Sequence, residues 1–211
     1  MKRLWLLDFD GTLVDSEKAI KACYLKIAQE LVPERCSFIE TMIIGPTLDE
    51  SARMILLNKN LQQLDEFKKR FQQLYDNKLV LETLQYPGVY ETLKKLHRQG
   101  DHLSIITNKR AYPTRKLINH YNWQNLFSWV ACMDEYPIAQ NKSDLISIKK
   151  INNNSYKDIY LIGDTLSDGE AARDHKISFV KANYGYGKVQ NWKNIPIYSS
   201  INNFSEILKI I

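Results

Sequence analysis

The segment Leu4-Trp5-Leu6-Leu7-Asp8-Phe9-Asp10-Gly11-Thr12-Leu13 constrains this chain more than any other. Its apolar run is short, begins near the N-terminus and shows no polar alternation. That is the pattern of a strand covered on both faces, as in the middle of a parallel sheet. Two carboxylates then follow, two residues apart. Side chains at that spacing point the same way while the strand stays extended, and Gly11 lets the chain turn off afterwards. Like charges so close raise one another's pKa and require a cation, which points to a Mg²⁺-dependent acid/base or nucleophilic site. The same residues also suit a strand-ending turn with both acids in water. The decision rests on what lies downstream.

After Thr12 the periodicity changes to that of helices. Ala19, Ala22, Cys23, Ile27, Ala28 and Leu31 recur at helical spacing until Pro33. A second helical stretch follows Arg35 and breaks at Gly45-Pro46-Thr47, where Thr47 suits the cap of a new helix carrying Leu48, Ala52, Ile55 and Leu56. A third run, from Leu61 to about residue 80, completes a helical insert over 15–84 in which no strand is evident. From Pro87-Gly88 onward the chain alternates strand and helix in βαβ fashion. Strands are expected at Leu103 to Thr107, Trp129 to Cys132 and Ile159 to Ile162, with short outer ones at Ser178 to Lys181 and Ile197-Tyr198. Helices are expected from about Thr114 to Tyr121, over 143–151, after Asp164 with Ser167 and Glu170 as capping box, and over Asn202 to Leu208. Asp8, Thr107 and Asp164 all fall at the C-terminal ends of expected parallel strands, where open α/β sheets bind ligands.

Composition narrows the function classes. With 211 residues and 44% hydrophobic side chains, the chain can bury a real core. Its net charge of +5 is dispersed. The insert carries 10 basic against 11 acidic side chains and the remainder 19 against 13. No basic cluster of the kind that binds nucleic acid is present. Three cysteines, Cys23, Cys36 and Cys132, form no short-spaced pair, which with no apolar leader or span argues for a reducing, cytoplasmic setting and no membrane contact. Oligomeric state is not legible.

Asp8-Phe9-Asp10-Gly11-Thr12-Leu13-Val14-Asp15-Ser16 resembles the first motif of the haloacid dehalogenase-like hydrolases, in particular their phosphoglycolate phosphatase-like branch. Thr107-Asn108-Lys109 resembles the second motif. Lys142, 22 residues before Asp164, falls where the third-motif lysine belongs, although Ser143 follows where this branch usually has proline. Gly163-Asp164-Thr165-Leu166-Ser167-Asp168 resembles the fourth. The resemblance implies an α/β fold with a Rossmann-like parallel-sheet core, 1–14 and 85–211, and an inserted all-helical cap domain, 15–84.

The activity it implies is Mg²⁺-dependent hydrolysis of a small phosphorylated metabolite through an aspartyl-phosphate. Asp8 would be the nucleophile and Asp10 the acid/base, with Thr107 and Lys142 completing the catalytic set. Gly11, Thr12, Thr107, Asn108 and Thr47 would bind substrate, and Asp8, Asp10, Asp164 and Asp168 would serve the metal. A sugar phosphomutase is the nearest alternative, but its second motif usually has small hydroxyl residues where this chain has Asn108-Lys109. A dehalogenase would lack Asp10. A phosphonate hydrolase needs a Schiff-base lysine in the insert, which Lys18, Lys21 and Lys26 leave open. A catalytically silent interaction module is disfavoured by the intact acid and lysine set, because buried like charges without a task destabilise a fold.

Overall fold

Residues 2–57, 60–151 and 155–210 are described by the computed structural model of the chain. The N-terminal strand β1 (Leu4–Leu7) leads to a short β2 (Val14–Asp15), followed by helices α1 (Glu17–Leu31), α2 (Cys36–Thr41), α3 (Leu48–Leu56) and α4 (Leu61–Leu74). After β3 (Leu84–Gln85) the chain alternates: α5 (Val89–Arg98), β4 (His102–Thr107), α6 (Ala111–His120), β5 (Trp129–Cys132), α7 (Lys142–Ile148), β6 (Ile159–Gly163), α8 (Leu166–Asp174), β7 (Ser178–Ala182) and β8 (Ile197–Ile201). Six strands form one sheet in the order β5-β4-β1-β6-β7-β8, every neighbouring pair parallel.

β1 lies between β4 and β6, with Leu7 in register with Ile105 on one side and Ile162 on the other. Its residues alternate between two cores. Leu4 and Leu6 pack with Ile106, Leu161 and Phe179 on one face, while Trp5 and Leu7 pack with Leu103, Ile105 and Val180 on the other. Both faces are dry, so the strand needs no polar position. The Trp5 indole N–H still requires an acceptor and donates to Asp101 at 3.0 Å. The core around Trp5 and Leu7 runs on without a break into Ile20, Tyr24, Phe67 and Phe71 of the helical insert.

Several local expectations change once the chain is folded. The strand-free insert is flanked by a two-stranded antiparallel ribbon, with Val14 opposite Gln85 and Asp15 opposite Leu84, which staples the outgoing and returning segments together. Two residues per strand is too short to register as a pattern. α4 ends in a π-helical turn, Tyr75–Leu79, and a 3₁₀ turn, Val80–Glu82. The capping box at the start of α8 is Thr165 with Asp168, not Ser167 with Glu170. α6 begins at Ala111, three residues before the expected Thr114, and the C-terminal helix is a 3₁₀ segment, Phe204–Lys209. Thr47 caps α3 as its spacing suggests, in a reciprocal box with Glu50. Among the described residues, no helix is long and apolar enough to cross a membrane.

Candidate active site

The sheet's topology concentrates charge at one end. Because β1, β4 and β6 are adjacent and parallel, Asp8 and Asp164, which follow β1 and β6, and Thr107, the last residue of β4, lie at the same edge. The Asp8 amide still donates to Ile162 O at 2.9 Å, so the backbone stays in the sheet through the first acid. It then turns at Gly11, whose φ is +82° and where a Cβ would lie 2.3 Å from Asp164 Oδ2. Only glycine allows Asp164 that close. The backbone closes on Asp164 from the other side too, since a Cβ on Gly185 would stand 2.2 Å from the Asp164 Cβ. The next amide, of Tyr186, donates to Asp164 Oδ2 at 2.6 Å, and the Thr12 hydroxyl donates to Oδ1 at 3.3 Å.

One ligand atom each of Asp8, Asp164 and Asp168 lies within 4.8 Å of the others, and all three residues are buried. Among the described residues no other cluster of this composition comes together. Lys142, the first residue of α7 and 2% exposed, places its Nζ 2.6 Å from Asp8 Oδ1 and 2.5 Å from Asp168 Oδ1. Asp168 Oδ2 accepts from the Thr165 amide and hydroxyl at 3.0 and 2.8 Å, so the α8 capping box orients this acid as well as starting the helix.

Three buried carboxylates thus face one ammonium. Burial, reinforced by Asp168 and opposed by Lys142, holds the Asp8 carboxyl well above the usual range. Burial first, then Asp168, pushes Asp164 up to about 7 against the hydrogen bond from the Tyr186 amide. Burial alone would discharge Lys142, yet Asp168 and Asp8 keep its pKa above the ordinary lysine value. This donor set is hard, oxygen-rich and short of positive charge, which fits a small hard divalent cation such as Mg²⁺.

Asp10 is not part of that triangle. Its Oδ1 accepts from Ser16 Oγ at 2.5 Å and from Lys109 Nζ at 3.0 Å, and Oδ2 accepts from the same ammonium at 3.1 Å. Lys109 also donates to Tyr75 Oη at 2.8 Å and lies 4.8 Å from that ring's centroid. Thr107 Oγ1 accepts the Lys109 amide at 3.1 Å. Asn108 Nδ2 donates to Gly45 O of the insert at 2.9 Å, while its Oδ1 is buried without a donor. The Thr47 hydroxyl is occupied in the α3 cap, donating to Glu50 Oε2 at 2.8 Å and accepting the Glu50 amide at 3.3 Å. Gly45 and Pro46, not Thr47, line the cavity of about 60 Å³ between Asp8, Asp10 and the insert.

Sequence reasoning gave no role to Lys109, Ser16, Tyr75 or the Arg110–Asp76 pair. Lys109 was in plain view beside Thr107-Asn108. Tyr75 and Asp76 carried no signal, because a π-helical turn at the end of α4 brings them to the site.

Fold and site define a doubly wound α/β protein, with a charged edge at the carboxyl ends of its strands and a helical insert over that edge. The family model for haloacid dehalogenase-like hydrolases matches residues 5–182. A phosphoglycolate phosphatase from Pseudomonas fluorescens is 30% identical over 88% of this chain and 71% of its own length. Another from Psychrobacter arcticus is 24% identical over 98% of this chain and 94% of its own. The crystal structure of a predicted phosphatase from Clostridium acetobutylicum superimposes with a TM-score of 0.85, at 22% identity, covering 100% of this chain and 98% of that one. The chain belongs to the haloacid dehalogenase-like hydrolase family and is an enzyme of its phosphatase type.

Proposed function

We propose that this protein hydrolyses the phosphate monoester of a small metabolite through an aspartyl-phosphate on Asp8, with machinery like that of the phosphoglycolate phosphatases it is similar to. The observation that carries the reading is the division of the two N-terminal acids. Asp8 sits with Lys142 among buried carboxylates, while Asp10, two residues on, is held apart by Lys109 and Ser16. That division supports a reading in which one acid attacks and the other exchanges protons.

In the first half-reaction an Asp8 carboxylate oxygen bonds to phosphorus as the ester oxygen leaves, and Asp10 gives that oxygen its proton. In the second, Asp10 takes a proton from water as the water oxygen attacks the phosphoryl group, and the bond from phosphorus to Asp8 breaks to release phosphate. The Lys142 ammonium offsets the charge of Asp8 and of the equatorial phosphoryl oxygens. The Thr107 hydroxyl, in the wall of the same cavity, would hold one of those oxygens. Mg²⁺, held by Asp8 and Asp164 with Asp168 behind them, would keep Asp8 ionised and lower the repulsion between anionic nucleophile and anionic ester. Residues 15–84 act as a cap domain over a core of 1–14 and 85–211. The Gly45-Pro46 turn meets the core at Asn108, and shutting the cap there keeps bulk water from the attacking carboxylate.

Phosphate release over a panel of esters, with chelator and then with added Mg²⁺, tests the reading together with Asp8→Asn. Turnover should need the metal and vanish in the variant while its circular dichroism stays unchanged. Wild-type turnover by Asp8→Asn would remove Asp8 as nucleophile.

A further inference from the structure

Tyr186 joins two parts of the molecule at the point where the chain leaves the sheet for the helical insert. It stands between Gly185 and Gly187 in the loop after β7, and neither glycine has room for a Cβ against Asp164. Its backbone amide donates to Asp164 Oδ2 at 2.6 Å. Its side chain reaches the first turn of α1. There the phenol oxygen accepts from the Ser16 amide at 2.7 Å and from the Glu17 amide at 3.1 Å, while its proton goes to Asp15 Oδ1 at 3.2 Å. The one donor and both acceptor positions of the hydroxyl are therefore in use. Burial first, then Asp10, holds the phenol above the ordinary tyrosine pKa, so the proton stays on the oxygen.

Ser16 is what this grip controls. It occupies the N-cap position of α1, where a serine hydroxyl ordinarily accepts an amide of the first turn from an extended backbone. Here the backbone sits at φ −106° and ψ 0°, and the side chain makes no capping bond. The fully buried hydroxyl donates instead to Asp10 Oδ1 at 2.5 Å. Lys109 also holds Asp10, but it approaches the two carboxylate oxygens almost equally, at 3.0 and 3.1 Å, as a point charge on a flexible stem. The Ser16 hydroxyl is the contact that tells one oxygen from the other. It is free for that task because the two amides at the start of the helix are held by a phenol from elsewhere in the chain.

We propose that Tyr186 is a positioning residue for Asp10: by holding the Ser16 and Glu17 amides it keeps the turn in the form that aims the Ser16 hydroxyl at Asp10, and without it Ser16 returns to capping α1. This rests on the phosphatase reading above, in which Asp10 gives and takes the proton.

Tyr186→Phe keeps the ring and the backbone amide on Asp164 and removes only the phenol oxygen. With Mg²⁺ present, p-nitrophenyl phosphate separates the half-reactions, because nitrophenolate leaves with little help from an acid, whereas hydrolysis of the aspartyl-phosphate needs Asp10 to take a proton from water. Rapid mixing of Tyr186→Phe should show a burst approaching one nitrophenolate per enzyme, then a steady rate at least tenfold below wild type. Ser16→Ala should behave in the same way. The double variant should fall no more than about twofold below the slower single one, since both changes cut the same chain of contacts, whereas independent losses would multiply to about a hundredfold. A wild-type rate in folded Tyr186→Phe, a slow rate without a burst, or multiplied losses in the double variant overturns the proposal and leaves the phosphatase reading standing. Should Tyr186→Phe fail to fold, amide hydrogen exchange in the wild type decides: Ser16 and Glu17 should exchange at least tenfold more slowly than in the unfolded chain, and free exchange there overturns the proposal. No turnover of p-nitrophenyl phosphate or of any other ester by the wild type overturns both readings.

Discussion

Replacing Lys142 by Met tests the electrostatics of the site through folding stability instead of turnover. The substitution keeps the length of the side chain and deletes the one ammonium within 2.6 Å of Asp8 and 2.5 Å of Asp168. Removing one partner from a buried ion pair costs about 3–5 kcal/mol, since the other charge is left buried and unmatched. Here two carboxylates lose their partner, with Asp164 close by, so the metal-free variant should sit at the upper part of that range at pH 8. For a chain of this size that is on the order of 10 °C in Tm.

The pH dependence carries the sharper test. Burial already holds Asp8 and Asp164 above their ordinary values, and Lys142 is one of the influences that lowers them. Without it both rise further. The folded variant then binds more protons than the unfolded chain across the window above the free carboxylate value, so its stability falls as pH rises and returns as pH falls. The deficit against wild type should therefore be large at pH 8, shrink towards pH 5, and shrink at pH 8 when Mg²⁺ is added. Urea denaturation followed by fluorescence at both pH values, with and without Mg²⁺, measures it. A deficit below about 1 kcal/mol at pH 8, or one equal at the two pH values, would refute the picture of uncompensated buried acids.

Two further outcomes follow from the same geometry. In the metal-free wild type, Asp164 at about 7 means that the folded state retains a proton the unfolded chain loses near pH 4, so Tm should drop as pH rises through that interval. Added Mg²⁺ should then raise Tm more at pH 8 than at pH 5.5, because protons and metal compete for the same oxygens; thermal scans that show no pH dependence of the Mg²⁺ effect would contradict this. Gly11→Ala brings a Cβ within 2.3 Å of Asp164 Oδ2 at a φ of +82°, and should lower stability by about 1–3 kcal/mol while sharply reducing phosphate release. Wild-type values in denaturation and turnover would show that the turn yields easily.

Much of this protein was legible locally. The uninterrupted apolar run of Leu4 to Leu7 identifies a strand buried on both faces, and β1 is that strand, dividing its side chains between two cores. The same logic places Asp8, Thr107 and Asp164 at strand ends on one edge of the sheet, and capping chemistry marks Thr47. These features survive because each depends on residues within one turn or one strand, where alternation and capping are the controlling physics.

Other features depended on where distant segments cross. Lys109 finds Asp10 across 99 residues, Arg110 finds Asp76 across 34, and Asn108 finds Gly45 across 63. No periodicity encodes such pairings, since any solvated lysine or arginine looks the same until the chain around it excludes water and leaves one partner within reach. The motif residues thus located the candidate chemistry, whereas the pairings of Lys109, Arg110 and Asn108 were decided by how the π-helical turn after α4 and the Gly45-Pro46 turn come down onto the loop after β4.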